Sequence, residues 1–350
     1  MESTSHPFQK LWTHASGHRG SVLVATVYST LNKLFDLAPP ILIGAAVDIV
    51  VEREDSLIAS FGFPDPKTQL LVLAAITVVV WSFESLFEYL QAIKWRNLAQ
   101  TIQHELRVDA YQHVQSLDLA YFHDTSTGGL MSILNDDINQ LERFLDTGAN
   151  SVVQITTTAI AVSITFFVLA PGVAWMAMLP IPFILWGSFR FQKLLAPRYE
   201  AVREHVGLLN GRLSNNLRGI QTIKSFATEE YEKSRVKIDS QAYREANARA
   251  ISLSSAFSPI IRFAIVTGFT ATLIYGGHLA LEGELAVGTY SVLVFLTQRL
   301  LWPLTRLGQT FDQYQRAAAS TARVMGLLET EPSIVDGANA VNEMNGAITF

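Results

Sequence analysis

The sequence predicts an all-α, polytopic membrane protein whose six long helices extend past the bilayer into the cytoplasm, and three observations predict it. Forty-three consecutive residues, Thr147 to Phe189, contain no Asp, Glu, Lys or Arg. A hydrocarbon span takes about twenty residues at about 1.5 Å each, so this stretch holds two spans and a tight turn. A helical hairpin buried in a soluble protein would keep charge on its outer faces, and these two helices carry none. The whole chain of 350 residues is 49% hydrophobic and only 16% charged, where soluble domains hold about 25% charged residues. Finally, no proline or glycine occurs from Gln69 to Leu119, so nothing stops that helix where the lipid ends. About fifty residues make roughly 75 Å of helix, more than twice the hydrocarbon thickness of about 30 Å.

Residues 1–19 form the expected N-terminal arm, polar apart from an interfacial piece at Phe8, Leu11 and Trp12. The apolar stretch from Ser21 to Val51 is too long for a signal-peptide core and is read as a retained first span, near 20–50. Pro39 and Pro40 are expected to bend it toward its far end. Polar residues 52–67 turn the chain into span two, near 68–90, which continues as the long projecting helix. A break follows at LAYFHDTSTGG, 119–129, with capping groups on Asp124, Ser126 and Thr127 and a bend at Gly128-Gly129. The helix then resumes and enters the charge-free stretch as span three, near 150–170. Pro171-Gly172 turns it into span four, near 172–192, which runs on past Arg190 to a second distal interruption. Span five returns near 253–281, Glu282-Gly283-Glu284 makes a short turn, and span six lies near 287–307. Its helix continues to Glu331-Pro332.

Lys94, Arg96, Arg143, Arg190, Lys193 and Arg249 border the spans on one side, whereas the turns on the other side hold only Arg53 and Lys67. The positive-inside rule places both termini and both long loops in the cytoplasm. The expected location is the plasma membrane, the inner membrane in a bacterium. A net charge of −5 gives no general attraction for nucleic acid. With no cysteine, disulfides, thiolate chemistry and cysteine-based metal sites are excluded. The histidines, His6, His14, His18, His104, His113, His123, His205 and His278, form no HExxH, and His104 and His113 are badly spaced for one helix face. No metal site and no catalytic constellation is expected.

Four passages, in this order, resemble the exporter-type transmembrane domain of ATP-binding-cassette transporters. They are LDLAYFHDTSTGGLMSILNDDINQLERFL (117–145), LSNNLRGIQTIKSFATEEYE (213–232), the span-six passage beginning ELAVGTYS (284–329), and NGAITF (345–350). The resemblance implies a domain-swapped exporter fold in a homodimer or a heterodimer of half-transporters. It also implies two coupling-helix tips that dock on nucleotide-binding domains. Transferred onto this chain, the tips are about 121–128 (Tyr121, Phe122, His123, Asp124, Thr125) and about 215–222 (Asn215, Asn216, Leu217, Arg218, Gly219). The swap predicts that the second tip meets the partner's ATPase domain. Residues 20–330 are then the membrane domain, and 331–350 a linker and the first strand of a nucleotide-binding domain. The chain reaches Phe350 without a Gly-rich loop ending in Gly-Lys-Ser/Thr. It is therefore expected not to bind ATP alone; ATP and Mg belong to the missing domain. Ending inside NGAITF favours an excised membrane domain over a separately encoded motor.

Candidate substrate-cavity residues are the ionisable or polar groups within spans. Lys33 and Asp36, at i and i+3, fit a local neutral pair, a cavity lining or an interfacial position. Arg262 suits an anionic substrate or lipid headgroup, or a structural interhelical role. Glu84 and Glu88 share a helical face and fit cavity lining or interfacial chemistry. The resemblance places substrate contacts on the helix of Gln298 and Arg299, and Pro303 opens it locally. Trp81, Trp95, Trp175, Trp186 and Trp302 read as belt or packing residues. Asp136-Asp137 reads as first-turn or docking charge. The expected function is the translocation pathway of an ATP-driven exporter or lipid flippase. Two alternatives stand beside it. An ion-coupled carrier would rely on Asp36, Glu84 and Glu88, and a receptor or scaffold is disfavoured by the short outer turns.

Overall fold

The computed structural model describes residues 6–334 and Gly346. The described residues are helices joined by short turns, without a strand. The expected strand at 345–350 lies outside them apart from Gly346. Among the described residues, five stretches are long and apolar enough to cross a membrane: Ser16–Asp55, Pro66–Ser116, Thr127–Leu169, Pro171–Arg218 and Glu229–Leu281. The sixth expected span, 287–307, differs. It is an α-helix only over Val287–Leu301, and Trp302–Arg306 is a 3-10 segment. Pro303 has no N–H for the α-helical ladder, so the chain tightens there. Fifteen α-helical and five 3-10 residues still reach about 32 Å, enough to span.

The chain divides into two compact units. One comprises Leu31–Ser85 and Gln154–Thr310. Here α2 (Arg19–Asp36) ends and α3 (Ala38–Glu52) begins. The break at Leu37 is mid-span, not near the far end as expected. Pro39 and Pro40 cannot donate to the carbonyls four residues earlier, Phe35 and Asp36, which sets the break one turn before the prolines. The following turn is held by Ser56 Oγ donating to Gln69 Oε1 at 2.6 Å, both residues buried. α4 (Pro66–Ser116) is the uninterrupted 51-residue helix that the absence of Pro and Gly implied. α8 (Ala149–Leu169), α9 (Pro171–Met178) and α10 (Pro180–Arg218) form the charge-free hairpin and its extension. α12 (Glu229–Leu281) carries 53 residues, and α13 (Val287–Leu301) follows.

The core of this unit joins Phe166, Val173, Ala174, Ala177, Ile184, Ile265, Leu293, Leu296 and Leu301. In lipid, apolar burial gives helices little reason to associate, so close packing and interhelical hydrogen bonds must do it. Both occur where α3 meets α13. Asp48 Oδ1 accepts from the Gly288 backbone N–H at 3.0 Å. This supplies the N-terminal cap of α13 that its own N-cap residue, Ala286, lacks. A Cβ on Gly288 would stand 2.0 Å from Asp48 Oδ1 and 2.5 Å from the Gly44 carbonyl oxygen.

The other unit comprises Met1–Thr30, Leu86–Val153 and Phe311–Phe350. The arm is not simply polar: α1 (Pro7–His14) packs into it. Leu11 is buried, and Phe8 lies 5.2 Å from Tyr314 and 5.4 Å from Phe144, ring to ring. His14 and His18 reach Asp109 and Glu105 on α4, and Lys10 reaches Glu329 at 2.6 Å. Trp95 is buried and donates Nε1–H to Ser29 Oγ at 2.8 Å, a packing role as expected. α5 (Leu119–Asp124) and α6 (Thr127–Met131) lead into π-helical Ser132–Asp137, α7 (Ile138–Arg143), π-helical Phe144–Gly148 and then α8. A π-turn inserts one residue and swings the following side chains around the axis. These two π-segments carry Asp137 and Phe144, which both meet α14 (Leu307–Leu328).

Asp137 is thus not an exposed docking charge. It is 5% exposed and takes Arg323 in a bidentate pair, Nε to Oδ2 at 2.7 Å, with Ser320 Oγ donating to Oδ1 at 2.8 Å. A buried carboxylate without such donors is strongly disfavoured, so the pair fixes α14 on this helix. Two outcomes follow. Gly288→Ala is expected to lower stability by about 1–3 kcal/mol through overpacking, read as a lower thermal midpoint in detergent; an unchanged midpoint would show that the α3–α13 contact gives way. Arg323→Met, leaving Asp137 with Ser320 alone, is expected to lower that midpoint as well, by about 1–3 kcal/mol given the partial exposure of Arg323.

Candidate functional site

Two distal turns and one intramembrane cluster concentrate the residues singled out by sequence. At the first turn, Asp118 is the N-cap of α5, its Oδ1 accepting from the Tyr121 backbone N–H at 3.2 Å. Ser126 caps α6 by accepting from the Gly129 N–H at 3.1 Å. Ser126 is therefore a cap as expected, Asp124 ends α5 instead of capping, and Gly128-Gly129 lie within α6, with the bend at Thr125-Ser126. Tyr121 packs against the cluster of Ala110, Val114, Leu117, Leu130 and Leu327, and Phe122 stands edge-on to its ring at 5.7 Å. Phe122 is 40% exposed, and His123 and Asp124 are exposed.

Asp118 has a second duty that the sequence did not reveal. Its Oδ2 accepts from the Ser333 backbone N–H at 2.8 Å and from the Ser333 hydroxyl. His113 Nε2 donates to the Thr330 carbonyl at 2.8 Å. The segment leaving α14 is thereby stitched to the first turn. The Ser333 hydroxyl, then the Ser333 and Tyr121 amides, hold the Asp118 carboxyl below its ordinary value of 3.8. A lowered carboxylate pKa contributes above that value and loses its contribution as pH falls through the lower folded value.

At the second turn, Asn215, Asn216, Leu217 and Arg218 form the last turn of α10, and Gly219 closes it with its N–H on the Asn215 carbonyl at 2.8 Å. The apex falls slightly later than the expected 215–222, over α11 (Ile220–Ser225) and Phe226 to Thr228. Thr228 N–H bonds the Ile223 carbonyl and Ala227 N–H the Lys224 carbonyl. That is the Schellman pattern, with Ala227 at φ 50° in the left-handed position usually given to glycine. Phe226 is 74% and Leu217 72% exposed, so large apolar side chains face outward on a polar turn.

In the span region, Lys33 Nζ donates to Asp36 Oδ2 at 2.6 Å, the pair that the spacing implied. Arg299 from α13 adds Nη1 to Asp36 Oδ1 at 2.9 Å. Arg262 from α12 lies over the Trp302 ring, 5.5 Å from its centroid. Gln298 is exposed beside Arg299. Two further candidates, Glu84 and Glu88, are on α4. The Glu84 carbonyl accepts from Asn32 Nδ2 at 3.1 Å, and Asn32 Oδ1 accepts from Gln154 Nε2 at 3.3 Å. Glu88 falls in the other unit and is exposed on α4.

Sequence reasoning missed the Asp118, Asp48 and Asp137 contacts. A cap signal, Asp ahead of LAYF, was there for Asp118; the other two depend on which helices meet. Asp118→Asn keeps one acceptor oxygen of two and is expected to free the Ser333 amide while retaining the α5 cap. Hydrogen exchange should show faster exchange at Ser333 with Tyr121 little changed, and the wild type should reach that state only as pH falls below 3.8. Equal protection of Ser333 in both proteins would remove this tie.

The family model described as the ABC transporter transmembrane region matches residues 22–304. The chain is 29% identical to "Uncharacterized ABC transporter ATP-binding protein YknU" of Bacillus subtilis, over 71% of this chain and 43% of that protein. It is 26% identical to a "Multidrug efflux ATP-binding/permease protein" of Mycobacterium bovis, over 85% of this chain and 24% of that protein. It is 23% identical to an "ATP-dependent lipid A-core flippase" of Syntrophus aciditrophicus, over 80% of this chain and 47% of that protein. The chain spans about half the length, or less, of each. The matched region takes in the intramembrane cluster and both distal turns, and this multi-pass membrane protein belongs to the family of ABC transporter transmembrane regions.

Proposed function

We propose that this chain forms the translocation pathway of an ATP-driven exporter or lipid flippase and carries motion from nucleotide-binding domains into the membrane. The supporting observation is mechanical. Helices of 51 and 53 residues reach about 75–80 Å, and their distal ends present exposed Phe122, Leu217 and Phe226. An apolar side chain on a projecting polar turn suits a socket on a partner domain.

In this reading both tips and both termini are cytoplasmic, and the membrane is the plasma membrane, the inner one in a bacterium. Residues 20–330 are the membrane domain and 331–350 lead toward a nucleotide-binding domain. Two copies, or this chain and another half-transporter, enclose a cavity. Tyr121 to Thr125 and Asn215 to Gly219, with Ile220 and Phe226, receive the push of the motor domains. ATP and Mg are bound in those domains and supply the free energy. This chain's own part is to bind cargo, to hold the tips at fixed distance from the cavity, and to tilt as rigid rods. The names of the relatives, multidrug efflux and lipid A-core flippase, support amphiphilic cargo.

The absence of native cysteine makes single-cysteine labelling clean. Cysteine at 122 or 216 is expected to react with an impermeant reagent only from the cytoplasmic side; labelling from outside would overturn the orientation. With the chain assembled with its nucleotide-binding domain, Phe226→Ala and Phe122→Ala are each expected to cut ATP-driven transport about tenfold while substrate binding stays. Undiminished transport in both variants would exclude these tips as the transmission point.

A further inference from the structure

We infer that residues 329–333 are a releasable tether: laid down, they fix the chain leaving α14 against the first distal turn, and lifted, they lengthen the reach of whatever follows. The tether's role in transport rests on the reading above; its opening and closing rest on contacts within this chain. Three successive contacts lay it down, each on a different element of the same compact unit. Glu329 Oε2 accepts from Lys10 Nζ of α1 at 2.6 Å. The Thr330 carbonyl accepts from His113 Nε2 of α4 at 2.8 Å. Ser333 gives its amide, at 2.8 Å, and its hydroxyl to Asp118 Oδ2. The other oxygen of that carboxylate caps α5 at the Tyr121 amide. The end of the tether and the start of the first-turn helix therefore hang on one side chain.

Local chemistry separates a fixed part of this segment from a releasable one. α14 ends at Leu328. The Glu329 and Thr330 amides still bond to the Met325 and Leu327 carbonyls, and Thr330 Oγ1 donates to the Gly326 carbonyl. Pro332 then has no N–H to give and disfavours helical backbone at Glu331, so the helix cannot run on. Leu327, 4% exposed, is held in the apolar cluster of Ala110, Val114, Leu117 and Leu130, and peeling stops there. The contacts beyond that anchor lie at the surface: Ser333 is exposed, and Glu329 keeps 54% of its side chain in water. Hydrogen bonds and ion pairs in such places each carry a small net free energy, so a modest pull opens them. Lifting Ser333 frees three residues, Glu331 to Ser333, about 10 Å of extended chain. Lifting Thr330 and Glu329 as well frees five, about 17 Å. Laid down, the tether passes a pull from the following residues to Asp118 and thereby to α5; lifted, it passes none.

The test places nitroxides at Ile334→Cys and Gln115→Cys, both exposed, the first just past the tether and the second on α4. Distances between them are measured by pulsed electron spin resonance on the purified chain in detergent, without nucleotide. The otherwise unaltered chain is expected to give one narrow distance. Ser333→Pro, which removes both donors and leaves Asp118 on the α5 cap, is expected to broaden it and add up to about 10 Å. Asp118→Asn is expected to do the same from the other partner. Adding Lys10→Met and His113→Phe is expected to extend the range toward about 17 Å. An unchanged distance in Ser333→Pro overturns the tether. So does a change there that Asp118→Asn does not share, because proline stiffness alone would then account for it. With the chain assembled with its nucleotide-binding domain, both variants are expected to move severalfold less cargo per ATP hydrolysed; full coupling with an opened tether would overturn its part in transmission. The two readings separate here. Distances that lengthen in both variants of a protein without ATP-driven transport would keep the tether and sink the transport reading. Unchanged distances beside working transport would do the reverse.

Discussion

The constraint on which this protein rests is that a backbone crossing lipid must satisfy its own hydrogen bonds. Within hydrocarbon that forces helix; nothing forces the helix to end where water begins. α4 and α12 pass through the interface because no glycine cluster or tandem proline interrupts them there. The ladder of i to i−4 bonds is unbroken in α4, and α12 runs on although Pro259 leaves one bond of its ladder unmade. The same ladder that satisfies the backbone in lipid lets these helices run on beyond it.

Where the ladder is interrupted, the interruption has a local cause and a local use. Pro39 and Pro40 break α2 from α3 at Leu37, next to Asp36, and Pro303 tightens the chain directly after α13, next to Arg299. Both discontinuities therefore border the charged cluster. Asp36 serves two cations there, one on each carboxylate oxygen. The two π-segments before α8 work differently, adding a residue each time and turning Asp137 and Phe144 onto α14.

Much of this was legible in the sequence, and the reasons differ by residue. The charge-free run and the proline-free run announced spans and overlong helices, because solvent and backbone chemistry act on every residue in them. Lys33 and Asp36 announced their pairing because helical spacing alone brings them together. Arg299 joining them, Arg323 burying Asp137, and Ser333 docking on Asp118 needed knowledge of which helices meet, and no local spacing carries that. The second turn was displaced by a few residues because Asn215 to Arg218 retain good helical bonds up to Gly219. The arm looked polar because its histidines and Lys10 are the groups that grip α4 and α14.

The borrowed cap on α13 has an evolutionary corollary. Ala286 offers no oxygen, so the helix start is completed by a residue 238 positions earlier in the chain (286 − 48). Positions 44, 48, 286 and 288 cannot drift separately. A descendant that lost the carboxylate at 48 would be rescued most simply by Ser, Thr, Asp or Asn arriving at 286, while the close approach of the Gly44 and Gly288 backbones would still exclude bulk at both positions. Covariation of positions 48 and 286, with glycine kept at 44 and 288, is the signature such a lineage would carry.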